Sequence, residues 1–153
     1  MNQKAKVHIE SMAYKGYGVA RIKGKAVFIP YSVSGDELWV EVIEEKKNYC
    51  IGGLKEIITP SPWRVNPPCP YFVQCGGCQW QHIDYSIQPE LKKEISVGIL
   101  QRLGRVREIP LIALASSPDP YGYRARIQLK VKQGFIGYYQ RKTHCLVDIQ
   151  GCF

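Results

Sequence analysis

The chain has 153 residues, 45% of them hydrophobic and 22% charged, an ordinary globular composition that excludes a disordered or low-complexity chain. Its length admits one domain or two small ones with a modest core. A formal net charge of +8 favours a polyanionic partner, because Lys and Arg displace condensed counterions from phosphates.

The amino terminus, MNQKAKVHIESMAYKGYGVA, has no apolar run of signal-peptide length, and no later stretch reaches the roughly 20 apolar residues of a membrane span. The expectation is a cytoplasmic protein without a membrane partner. In a reducing compartment clustered cysteines point to metal or catalysis rather than to a disulfide framework.

Residues 1 to 58 read as short strands broken by glycine. Val7 and Ile9 alternate with Lys6, His8 and Glu10, and KAVFIPY and LWVEVI are further β-rich runs, with a turn at SVSGDE between them. Strands at such spacing predict a small barrel. Its tip, AYKGYGVARIKGK, mixes Lys15, Arg21, Lys23 and Lys25 with Tyr14 and Tyr17, a combination suited to phosphate contact and base stacking, or to a solvated hairpin. His8, on the polar side of its strand, reads as solvated.

The segment TPSPWRVNPPCP holds five prolines in twelve residues and excludes helix and central strand, so it marks a boundary. The second region therefore runs from 59 to 153. Within it, CPYFVQCGGCQW spaces Cys69, Cys75 and Cys78 as C-x5-C-x2-C, and Gly76 and Gly77 allow the tight backbone that brings sulfurs together. A fourth ligand must come from Cys50, Cys145 or Cys152, or from His82 or His144. Spacing alone leaves an iron–sulfur cluster, zinc and a redox dithiol open.

Beyond the cysteines, PELKKEISVGILQRLG places Leu91, Ile95, Ile99 and Leu103 on one helical face, with Pro89 near the start and Gly104 at the end, a stripe suited to core packing. RARIQLKVK alternates as a strand, with Ala125, Ile127, Leu129 and Val131 turned to a core. Arg124, Arg126, Lys130 and Lys132 fall on the opposite, cationic face. A turn at QG leads into FIGYYQRK, so Arg141 and Lys142 would lie beside that row. Residues 1 to 58 carry 9 basic and 7 acidic side chains, and residues 59 to 153 carry 12 and 6, so the basic excess sits in the second region. A like-charged strand face repels itself, which favours an anionic partner.

The run SPWRVNPPCPYFVQCGGCQWQHIDY, followed by a helix, YGYRARIQLKV and GFIGYYQRKTHCLVDIQGC, resembles the iron–sulfur-containing RNA uracil-5-methyltransferases of the 23S ribosomal RNA type, with CGGCQWQH the most specific part. Nearly the whole chain takes part, and residues 1 to 58 look like the family's TRAM domain, a small OB-like barrel that binds RNA. The resemblance implies a β-rich α+β fold: the barrel, a metal-cluster loop, one helix and an antiparallel sheet that is part of a central RNA-binding domain. It also implies a [4Fe-4S] cluster, structural in role, on Cys69, Cys75, Cys78 and Cys152, with Cys50 and Cys145 ordinary small side chains. RNA contacts are expected at Lys15, Tyr17, Arg21, Arg124, Arg126, Lys130, Lys132, Arg141 and Lys142, on a monomer.

Family enzymes attack C6 of the uracil with a cysteine thiolate and methylate C5 from S-adenosylmethionine. The cofactor and nucleophile belong to a Rossmann-like domain for which these 153 residues hold no G-x-G-x-x-G after a strand. Neither Cys145 nor Cys152 inherits the nucleophile's role, and no catalytic residue is assigned. The expectation is the RNA-binding, amino-terminal part of such an enzyme. Two small departures, Pro89 at the helix start and Phe153 after the last ligand, remove no ligand.

Overall fold

The computed structural model describes residues 4–110 and 114–152. Parts of both expected regions, residues 1–3, 111–113 and 153, lie outside it. The fold is β-rich, with a curled six-stranded sheet, one helix and a second sheet of three strands.

The first sheet comprises β1 (Lys4–His8), β2 (Ser11–Ala13), β3 (Tyr17–Ile22), β4 (Lys25–Pro30), β5 (Glu37–Glu45) and β6 (Tyr49–Thr59), in the order β1-β5-β6-β4-β3-β2. Its two edges, β1 and β2, are successive pieces of one run of chain. The Ile9 N–H continues the first ladder to the Asp36 carbonyl at 2.9 Å, and the Glu10 N–H begins the second at the Val19 carbonyl at 2.8 Å. The sheet thus curls toward closure and hides most of the edge it would otherwise expose. Alternation sets which side chains fill it: Val7, Ile9, Ala20, Val27, Ile29, Leu38, Val40 and Cys50 form the core, while Lys6, His8 and Glu10 face outward.

The proline-rich segment is bound to the barrel. The Asp36 carboxylate, wholly buried, accepts from the backbone N–H groups of Val33 and Ser61 and from the Arg64 guanidinium, whose Nη2 also donates to the Tyr31 carbonyl. A buried carboxylate is tolerated because each of its oxygens is so occupied.

Helix α1 (Gln88–Arg102) follows an Asx turn at Asp84, whose carboxylate receives the Ser86 N–H and hydroxyl. Leu91 and Ile95 pack with Met12, Val33 and Ile83 into a second core that joins helix, linker and barrel. The stripe ends early, however, for Leu103 is 81% exposed beyond the last turn. Among the described residues no helix is long and apolar enough to cross a membrane.

The second sheet, order β7-β8-β9, comprises β7 (Lys130–Lys132), β8 (Phe135–Tyr139) and β9 (Leu146–Asp148). The strand expected over 124–132 therefore shrinks to its last three residues. Continuing the β7–β8 register would set 128 opposite 139 and 126 opposite 141. There the carbonyl of Tyr139 already receives the Gly76 N–H at 3.0 Å, and the chain turns away at Gln140–Thr143. Ile127, Leu129 and Val131, expected in a core, are exposed, because among the described residues nothing covers that side of the sheet.

Candidate nucleic-acid groove and cysteine cavity

The barrel tip is a single 3-10 turn, Tyr14–Gly16, in which Lys15 (φ 64) and Gly16 (φ 70) take left-handed backbone angles. A Cβ on Gly16 would lie 2.9 Å from Trp80 Nε1, so glycine lets the tip sit directly on that indole. Between the tip, the cysteine loop, α1 and the β8–β9 turn lies an open groove of about 660 Å³. Lys15, Lys92, Arg141 and Lys142 line it together with Tyr14, Tyr17 and Trp80, and the Glu44 carboxylate lies near enough to Lys142 to feel its charge. The cations sit over the rings: Lys92 Nζ is 5.5 Å from the Trp80 centroid, Lys142 Nζ 5.9 Å from Tyr17, and Lys15 Nζ 5.6 Å from Tyr14. Tyr14 is exposed while Tyr17 and Trp80 are half-buried, and aromatic rings flanked by lysines can stack bases and neutralise phosphates, the two recurrent means of holding a single strand.

Of the residues expected to contact RNA, Lys15, Tyr17, Arg141 and Lys142 meet in this groove. The others do not share its face. Arg21 faces Glu10 at 3.6 Å and donates to the Gly24 carbonyl. Lys130 and Lys132 sit on an edge strand, and Arg124 and Arg126 line a different cavity, so the expected continuous cationic row is not formed. Sequence alone did not single out Trp80, although it lies in the cysteine motif, or Lys92, whose only signal was its place on the polar side of the helix.

The second cavity, about 800 Å³, is lined by Cys69, Cys75, Cys78 and Cys152, with Tyr121, Tyr138, Arg124 and Arg126 beside them. Tyr71 ties its two sides: its carbonyl accepts the Cys75 N–H at 2.8 Å, and its hydroxyl receives the Gln150 N–H at 3.1 Å. Burial pushes the Cys75 thiol above its usual range, and the neighbouring Cys69 and Cys152 push it further; Cys78 is raised in the same way, partly offset by Gln81. Tyr121 and Tyr138 are raised by burial and then by the cysteines. Thiolates here repel one another unless a cation is supplied. Among the described residues no group of three or more His, Cys, Asp or Glu side chains is drawn together tightly enough to hold a metal ion.

The remaining ligand candidates lie elsewhere. Cys50 is in the barrel core, and Cys145 is exposed in the β8–β9 connection. His144 stands 5.6 Å from the Tyr139 ring. His82 is buried between barrel and linker, with its Nε2 3.2 Å from the Ser32 carbonyl and its ring 5.4 Å from Phe72.

Residues 5–63, which hold the barrel, match the family model described as tRNA (uracil(54)-C(5))-methyltransferase, TRAM domain. Over nearly its whole length the chain is also similar to larger proteins. An uncharacterized RNA methyltransferase of Aquifex aeolicus is 35% identical over 147 residues, covering 96% of this chain and 35% of that protein. The 23S rRNA (uracil(1939)-C(5))-methyltransferase RlmD of Pectobacterium atrosepticum is 37% identical over 150 residues, covering 95% and 33%. The crystal structure of Pyrococcus abyssi tRNA (uracil-54, C5)-methyltransferase in complex with S-adenosyl-L-homocysteine superimposes with a TM-score of 0.66 at 31% identity, over 96% of this chain and 32% of that one. The chain spans about a third of the length of these relatives.

Proposed function

We propose that this chain is the RNA-binding part of an S-adenosylmethionine-dependent RNA (uracil-5-)-methyltransferase that acts on 23S ribosomal RNA in the cytoplasm, as a monomer. The observation that carries the reading is the groove, where Lys15, Lys92 and Lys142 surround Tyr14, Tyr17 and Trp80. The TRAM profile and the names of the relatives support it. Methyl-donor binding and the nucleophile belong, in this reading, to the portion of the relatives that the chain does not span. A target base must leave its stack to be methylated, at a cost of a few kcal/mol, and contacts along the groove offset that cost.

The same reading places a [4Fe-4S] cluster in the second cavity, held by Cys69, Cys75, Cys78 and Cys152. The donor set fits in type and number: four thiols share one cavity, the charged forms of Cys75 and Cys78 are disfavoured by burial and by neighbouring cysteines, and Arg124 and Arg126 line the same cavity. When bound, the cluster supplies cross-linking and no electron transfer, because methylation of C5 is a polar reaction. It would tie the loop before α1 to the segment after β9.

Two measurements test the proposal. Anaerobic purification followed by iron and sulfide analysis is expected to give both elements, with loss of both in Cys152→Ser; zinc instead of iron would overturn the cluster assignment. Titration of single-stranded RNA at several salt concentrations is expected to give a log–log slope that falls by about two in the Lys15→Gln, Lys92→Gln, Lys142→Gln triple variant, since each lost phosphate contact removes roughly 0.7. An unchanged slope and affinity would remove the groove as the RNA seat.

A further inference from the structure

We infer that Arg141 is a positioning residue for RNA binding and not a phosphate contact. It latches the β8–β9 turn of the second region onto the barrel tip and thereby holds Lys15 and Tyr17 where the groove needs them. This inference rests on the groove being the RNA seat.

The guanidinium is already engaged. Its Cζ lies 4.4 Å from the Tyr17 ring centroid and 5.7 Å from that of Tyr31, so two aromatic rings flank the cation. Nη2 donates to the Lys15 carbonyl at 3.1 Å, and Nη1 is shut off from solvent and has no hydrogen-bond partner among the described residues. Arg141 forms part of the groove wall, but its two terminal nitrogens are turned to the protein. What they hold is a segment that needs holding, since Lys15 keeps a left-handed backbone angle that non-glycine residues rarely adopt. A planar fork can stack and donate at once, whereas an ammonium does one or the other.

The backbone of Arg141 is fixed from behind. The turn is closed by the Thr143 N–H to the Gln140 carbonyl at 3.1 Å and by the Gln140 N–H to the Cys145 carbonyl at 2.8 Å. The cysteine loop presses against it: a Cβ on Gly76 would lie 2.5 Å from the Tyr139 carbonyl oxygen and 3.1 Å from the Arg141 nitrogen. Barrel tip, cysteine loop and second sheet therefore meet at this one residue, the tip at its side chain and the cysteine loop at its backbone. The sequence offered Arg141 as one more cation in a basic run, and its pairing with a carbonyl 126 positions away was invisible there.

The test compares Arg141→Lys and Arg141→Met by hydrogen exchange without RNA and by titration of a single-stranded, uridine-containing RNA at several salt concentrations. A latch predicts that amides of residues 14–18 exchange about tenfold faster in both variants. It also predicts that both lose about tenfold in affinity and that Arg141→Lys keeps the parent salt slope. Should Arg141→Met not fold, Arg141→Lys carries the test alone. Parent-like affinity and tip exchange in Arg141→Lys would overturn the inference, because a phosphate contact needs only the charge. Lys92→Gln separates this from the underlying reading: it should lower the slope by roughly 0.7 and leave tip exchange alone. If Lys92→Gln changes neither slope nor affinity while the Arg141 variants loosen the tip, the latch stands and the groove is not the RNA seat.

Discussion

Single residues set the chemistry of the seam between barrel and linker, and His82 shows how. Burial holds its imidazole at a pKa of about 4, against 6.5 when solvated; the Ser32 carbonyl partly opposes this, while the Arg64 charge adds to it. The unfolded chain therefore binds a proton that the native chain refuses, and stability falls as pH drops from about 6.5 toward 4. Such a difference amounts to about 3 kcal/mol when complete. Replacing His82 with Phe suits the Tyr31 and Phe72 rings and abolishes the titration, so its denaturant midpoint should vary less between pH 7 and 4 than that of the parent. Parallel pH profiles would mean the imidazole is not kept neutral by burial. In the sequence His82 was one of two nitrogen ligand candidates, since the motif showed its nearness to Cys78 but not the walls that enclose it. Cys152 and Cys145, seven positions apart and both close to β9, were distinguishable only by resemblance.

At the scale of elements, periodicity was legible wherever a partner surface existed. The alternation in β1 put Val7 and Ile9 inside because β5 and the rest of the barrel cover them. The four-residue stripe of α1 held for Leu91 and Ile95, which meet Met12 and Val33, and lapsed at Leu103, where the helix has ended and the side chain is exposed. Leu91→Ala should accordingly cost about 2–4 kcal/mol in chemical denaturation, whereas Leu103→Ala should stay within about 0.5 kcal/mol of the parent. Equal losses would mean the helix packs along its whole length. The run 124–132 has the alternation of a strand, yet pairing needs a free neighbour, and at Tyr139 the hydrogen-bonding position belongs to Gly76. Pattern reports which face could be buried; it does not report whether a ladder partner has been taken by a loop some fifty positions upstream.

For the whole molecule, the two regions make one surface that neither presents alone. The barrel contributes Tyr14, Lys15 and Tyr17, the cysteine loop Trp80, the helix Lys92 and the second sheet Lys142. A division near residue 58 was expected from the prolines; in the fold the proline segment is bolted to the barrel through Asp36 and Arg64, and Met12, Val33, Ile83 and Leu91 pack together across that position. On the function proposed, RNA lies in the groove so formed. Photocrosslinking with a 23S ribosomal RNA fragment bearing 4-thiouridine, followed by peptide mapping, tests it most directly. The account predicts crosslinks in peptides from both sides of the groove, at Tyr14 or Tyr17 and at Trp80, and their loss in the triple lysine variant. Crosslinks confined to the β3–β4 hairpin around Arg21, or to β7 at Lys130 and Lys132, would contradict it.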